Sequence, residues 1–298
     1  MLLLLLQHVA SRSRKQLRKP LPPSPPGLPV IGNLLQVGDS PHVSLRDLAA
    51  KHGPGGLMLL RLGTVPNLVV SSPRAAQAVL RTHDHVFASR PASTLADDLV
   101  YGSSSVGFAP YGEHWRQVRK LVTTHLFTVK KVHSYHLARQ EEVSLVIAKL
   151  REAAAAGAEV DISGKVNAFA NDIICRAVCG KFFREEGRNK LFRELNHMTT
   201  FLLAGFNVED YFPALAKLLG IFTRFMSNKV SQTHERWDML LEEIIRDHER
   251  RKISEHGHGA GGGGVEQEES DFTDVMLSVQ QEYGITRDHI KAILMVSD

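Results

Sequence analysis

Trp115 and Arg119, in the stretch YGEHWRQVRK, stand four residues apart, so in a helix they share one face, one turn above the other. Arginine offers a planar fork that binds carboxylate bidentately and keeps its charge, and the indole N–H is a donor only. Together they suit an anionic oxygen partly removed from water. Arg116 and Lys120 repeat the spacing about a quarter turn away. The same pattern also describes a helix with its tryptophan in the core and its cations in solvent, and spacing alone leaves both readings open.

Other residue types offer less. GSSSVG, residues 102–107, is out of register for a GxSxG nucleophile elbow, and no strand leads into it. The 15 histidines contain no HExxH and no pair in credible ligand company. Cys175 and Cys179 do not have CxxC spacing and read as small apolar residues on the buried face of a helix. The glycines of HGHGAGGGGVEQEES are followed by no Lys-Ser/Thr, which removes a phosphate loop. Residues 255–270, which contain that stretch, read as a flexible surface linker.

The elements that must hold these residues are mostly helical. Ser40, Pro41 and Gly53 form a helix start and stop set, and Ser72-Pro73 repeats the start. Leu57–Leu62 and Asn67–Ser71 read as short strands around GTVP. From Glu113 onward, helical periodicity covers about 130–156, 163–179, 187–204 and 221–252. Near the C-terminus, Thr286 reads as an N-cap with Asp288 in the first turn. Residues 92–110 follow neither period and read as either a surface connector or part of a binding wall.

With 298 residues and 43% hydrophobic content, the chain can bury a sizeable core. Its net charge of +4 is spread among alternating signs, and the cluster SRSRKQLRK is short and lacks aromatic partners, so no nucleic-acid partner is expected. Two cysteines make no disulfide framework and fit a reducing, cytosol-facing compartment. Met1–Leu6 is far shorter than the roughly 20 apolar residues a membrane helix needs. Residues 1–19 therefore read as a residual membrane anchor with a basic tail, or as a solvated tail alone. The prolines of residues 20–29 form a stiff hinge, and residues 30–298 form the domain.

The order of several phrases resembles the cytochrome P-450 superfamily, specifically its plant microsomal family 71. They are PPSPPGLPVIGNL, FASRP, FAPYGEHWRQVRK with its WxxxR, EGRNKLFREL, NVEDYFPALAKL and ESDFTDVMLSVQQEYGITRDHIKAILM. The resemblance implies a mainly α fold with a small N-terminal β-sheet, and haem as cofactor, with Trp115 and Arg119 at a propionate. It implies Tyr101, Val106, Phe108, Leu203 and Phe206 as substrate-lining candidates. Arg116, Lys120, Lys130 and Lys131 become docking candidates for an NADPH-cytochrome P-450 reductase. The implied activity is monooxygenation of a small apolar plant specialised metabolite at the cytosolic face of the endoplasmic reticulum membrane.

The chain departs from the family in one decisive respect. Family chemistry needs a cysteine thiolate on the haem iron, in a Phe-Gly-Arg-Cys loop that is absent here. The acid-threonine pair of the oxygen-binding helix and the glutamate-arginine motif are absent as well. No catalytic residue and no metal ligand is therefore assigned. The expectation is the N-terminal portion of such a fold, ending before the oxygen groove and inactive by itself. The rival expectation is a non-catalytic membrane-associated or interaction protein.

Overall fold

The computed structural model describes residues 21–102, 104–180, 183, 187–219, 222–257 and 270–295. The anchor and tail read over residues 1–19, and most of the linker read over 255–270, lie outside the described residues. The described chain is mainly helical with one two-stranded antiparallel sheet. It divides into two units, residues 1–88 with 207–219 and residues 89–206 with 220–298.

In the first unit, helix α1 (Pro41–His52) begins at its proline, although the Ser40 side chain makes no capping bond. A hairpin follows, β1 (Leu57–Leu62) and β2 (Val65–Val70), with Leu57 opposite Val70 and Leu62 opposite Val65. The second strand starts earlier than the sequence reading because Pro66 is tolerated on a sheet that is all edges. Met58 and Leu60 point from one face of β1 onto Ala49 of α1 and form a small core. Gly63 turns the hairpin at φ +63°, and a Cβ there would lie 2.3 Å from the Tyr211 carbonyl.

The proline segment is stitched to this hairpin. Leu59 N–H donates to the Pro23 carbonyl at 2.8 Å. Buried Asn33 donates through Nδ2 to Pro26 and Pro25, at 3.2 and 3.3 Å, and its Oδ1 accepts from Arg61 N–H at 3.0 Å. The prolines have no N–H to donate, so the segment cannot pair as a full strand, and these bonds satisfy its carbonyls one by one. Helix α2 (Pro73–Gln77) closes the hairpin region, and the Ser72 hydroxyl accepts from Ala75 N–H as its cap.

The second unit carries α3 (Thr94–Leu99), α4 (Glu113–Leu121), α5 (Val129–Ser134), α6 (His136–Ala155) and α7 (Ile162–Cys179). It continues with α8 (Arg188–Ala204), α9 (Phe222–Gly257), α10 (Phe272–Tyr283) and α11 (Arg287–Met295). Helix α3 lies inside the stretch that showed no period. Its buried residues, Leu95, Ala96 and Leu99, span too little sequence to establish one. The helix expected over 130–156 breaks at Tyr135, where ψ is +11°. No Gly or Pro marks the break, and the Tyr135 ring packs edge-on against Phe272 at 6.1 Å.

The core of this unit joins α3, α4, α7, α8, α9, α10 and α11. Trp237 is fully buried, stands edge-on to Phe192 at 5.0 Å, and donates its indole N–H to the Thr199 hydroxyl at 2.8 Å. Cys175 and Cys179 lie on the buried face of α7. Asp271 caps α10 through a reciprocal box with Asp274. Thr286 accepts from His289 N–H at 3.2 Å as the cap of α11, matching the sequence reading.

Candidate functional site

Helix α4 and the segment before it form the site. Glu113 in the first turn and Arg119 and Lys120 in the last agree with the helix dipole. Trp115, half-buried, donates its indole N–H to the Val106 carbonyl at 3.1 Å. The Arg119 guanidinium lies over the Trp115 ring, 4.9 Å from its centroid. The four-residue spacing thus produces a stacked pair. Among the described residues, exposed Arg119 has no carboxylate or carbonyl partner, so its fork faces outward with its orientation set by the indole.

A propionate carboxylate fits Arg119, because a charged planar fork held by stacking loses little freedom on accepting a bidentate partner. Trp115 fits differently from its sequence reading. Its single N–H already holds Val106, so it positions Arg119 and the 104–108 segment, and it reaches an anion only by releasing that carbonyl.

The substrate-lining candidates are distributed unevenly. Tyr101, Val106, Phe108 and Leu203 are partly buried and pack against one core cluster. Phe206 is 61% exposed, outside that cluster. Tyr101 sits at φ +55°, an uncommon conformation for a residue with a side chain, and its hydroxyl donates to Asp238 Oδ1 at 3.0 Å. Burial and the Asp238 carboxylate push its phenol well up, so it stays a donor.

Below Tyr101 lies a charge network absent from the sequence reading. Buried Lys291 on α11 donates to Asp238 Oδ1 at 2.6 Å and pairs with Glu242 at 3.1 Å, both on α9. Arg287, one turn before Lys291, pairs with Glu242 at 2.9 Å and Glu249 at 2.7 Å. The Arg287 hydrogen bond outweighs burial and holds the Glu242 carboxyl down at about 2. Burial pushes Asp238 up, but the bonds from Lys291 and Tyr101 outweigh it and hold that carboxyl below its ordinary value.

Of the docking candidates, Lys120 and Lys130 are exposed and have no ion-pair partner among the described residues. Arg116 pairs with Glu113 at 2.7 Å and lies over the Tyr111 ring. Lys131 donates to the Ser270 carbonyl and hydroxyl and lies 5.0 Å from the Tyr135 ring centroid. Two of the four are therefore already engaged.

Sequence reasoning also passed over His248, which lies with Asp271 and Asp274 so that their ligand atoms fall within 4.8 Å. Both ring nitrogens are taken up, Nε2 with Asp271 Oδ2 at 2.7 Å and Nδ1 with the Ile244 carbonyl at 2.6 Å. This is a buried hydrogen-bonded pair that anchors the α10 cap to α9. The cysteines are equally occupied with packing: Cys175 Sγ accepts from Asn171 at 3.4 Å, and burial pushes the Cys179 thiol well up.

Residues 22–296 match the cytochrome P-450 family. The chain belongs to that family. Among curated relatives, it is 50% identical over 96% of its length to an indolin-2-one monooxygenase of Zea mays, and covers 52% of that protein. It is 48% identical over 93% of its length to cytochrome P-450 71C3 of Zea mays, covering 51% of it. The chain spans about half the length of these relatives. A zebrafish cytochrome P-450 solved with progesterone superposes with a TM-score of 0.63 at 22% identity, over 86% of this chain and 54% of the other, and this shows the fold.

Proposed function

We propose that this chain supplies the propionate side and one substrate wall of a haem-dependent monooxygenase acting on a small apolar plant metabolite. The carrying observation is the Arg119 fork, stacked on Trp115 and without an anionic partner among the described residues. Haem, when bound, supplies the iron at which dioxygen is activated so that one oxygen atom enters the substrate. Arg119 holds a propionate, and Trp115 fixes Arg119 and Val106. Tyr101, Val106, Phe108, Leu203 and Phe206 face the substrate. The maize relative named for indolin-2-one favours a flat, largely apolar bicyclic substrate.

Electrons come from NADPH through a reductase, steered by the positive surface of Arg116, Lys120, Lys130 and Lys131. Lys120 and Lys130 carry most of this role, since the other two cations are engaged internally. The family 71 relationship favours the cytosolic face of the endoplasmic reticulum membrane. No described helix is long and apolar enough to cross a membrane.

Within residues 1–298, neither cysteine can serve as a thiolate on the iron. Both are buried on α7, and the Cys179 thiol is held protonated. These residues by themselves therefore turn over no substrate. Haemin added to the purified chain, reduced and treated with carbon monoxide, should give a spectrum without the thiolate-type Soret band. Appearance of that band would overturn the statement.

A second reading, a non-catalytic interaction protein, draws support from apolar side chains exposed along α6, namely Leu137, Val143, Leu145 and Ile147. Co-purification with the reductase or a full-length relative in the absence of haem would favour it.

A further inference from the structure

A cavity of about 430 Å3 lies between α6, α7 and α8, with no residue of α4 in its lining. Glu142, Leu145, Val146 and Lys149 line it from α6, and Lys165, Ala168, Phe169 and Asp172 line it from α7. Each set is spaced i, i+3, i+4, i+7, so each is one continuous helical stripe. The short connection 156–161 returns the chain, so the helices run antiparallel and the stripes match end to end. Lys149 and Lys165 fall at one end, the apolar residues in the middle, and Glu142 and Asp172 at the other. Helix α8 adds Asn189, Lys190 and Arg193.

The two carboxylates are engaged. Glu142, buried, accepts from Arg176 at 3.3 Å, and Asp172 accepts from Asn189 Nδ2 at 3.2 Å. The four cations, Lys149, Lys165, Lys190 and Arg193, have no ion-pair or hydrogen-bond partner among the described residues. Glu142 and Asp172 stand at the far end of the stripes, so Lys149 and Lys165 repel each other at their own end, and a bound anion relieves that repulsion. The volume is that of a small-molecule pocket, and its apolar floor suits a flat body.

We propose that this cavity binds a small organic anion, a carboxylate on an apolar body. The head lies between Lys149 and Lys165, and the body lies over Leu145, Val146, Ala168 and Phe169. The site shares no residue with the haem and substrate positions, so its test is independent of them. Three probes titrated calorimetrically into the purified chain separate its components: naphthalene-2-carboxylate, its uncharged carboxamide, and inorganic phosphate. The carboxylate should bind at least about tenfold more tightly than either of the others, and high salt should weaken it. The K149Q/K165Q variant, changed only at exposed positions, should lose about tenfold in carboxylate affinity.

Equal affinity for carboxylate and carboxamide on the unaltered chain would overturn the proposal whatever the variant does. Phosphate binding as tightly as the carboxylate would remove the role of the apolar floor and overturn it as well. Sedimentation with phosphatidylserine vesicles, lost in the variant, without naphthalene-2-carboxylate binding would assign the cations to a lipid surface and contradict it.

Discussion

Lys291 Nζ lies 2.6 Å from Asp238 Oδ1, the same oxygen that accepts the Tyr101 hydroxyl at 3.0 Å. One carboxylate oxygen thus joins α11, α9 and the segment proposed to face substrate. Lys291 is 5% exposed, and a cation so buried persists only when paired. Its partners are part-exposed, which lowers the cost of losing it below that of a fully buried pair. Replacement of Lys291 by Met should destabilise the chain by about 2 kcal/mol, read from urea unfolding. A D238N/K291M cycle should show coupling between the two positions, and strictly additive effects would contradict the shared-oxygen arrangement.

The same network sets an acid limit on stability. Glu242 is held at about 2 when folded, below its ordinary value, so its contribution is complete above about pH 4.5. That contribution is lost as pH falls from there toward 2. Thermal unfolding of the native chain should therefore weaken steadily across this window. Replacement of Arg287 by Gln should flatten the decline, and an unchanged pH slope would count against Arg287 as the cause.

The sequence carried the pieces of this network without their pairing. Asp238 and Glu242 are spaced i, i+4 on α9, as are Arg287 and Lys291 on α11, and each pair alone reads as a solvated face. Only the packing of α11 on α9 brings complementary pairs together. Trp115 and Arg119 were legible because four residues in one helix fix their relation. The Val106 carbonyl that takes the indole N–H was not, since it lies in a stretch without periodicity. The long helices α6 to α9 were legible from their apolar repeats, whereas α3 was too short to show one and the break at Tyr135 carried no Gly or Pro to announce it.

Gly180 tests the junction of α7 with the α10 cap. Its φ is +71°, and a Cβ would lie 2.5 Å from Asp271 Oδ2, the oxygen that holds His248. Replacement by Ala combines backbone strain with displacement of a buried hydrogen bond, so a loss of about 2–3 kcal/mol is expected in denaturant unfolding. A loss below about 0.5 kcal/mol, the size of an ordinary surface change, would show that the cap tolerates the methyl group.

Trp237 tests the core. Replacement by Phe retains an aromatic ring against Phe192 but leaves the Thr199 hydroxyl without its donor, so a loss of about 1–3 kcal/mol is expected. The additional T199V change should recover part of it, because removing both polar partners relieves the unsatisfied group. No recovery in the double variant would assign the loss to packing alone.

The role of Arg119 is tested most directly by titrating haemin and haemin dimethyl ester into the purified chain and following Soret absorbance. Replacement of Arg119 by Gln should weaken haemin binding about tenfold, worth about 1.4 kcal/mol, and leave the ester unaffected, while the R116Q control changes neither. Equal haemin affinity in the native chain and the Arg119 variant would contradict the propionate assignment.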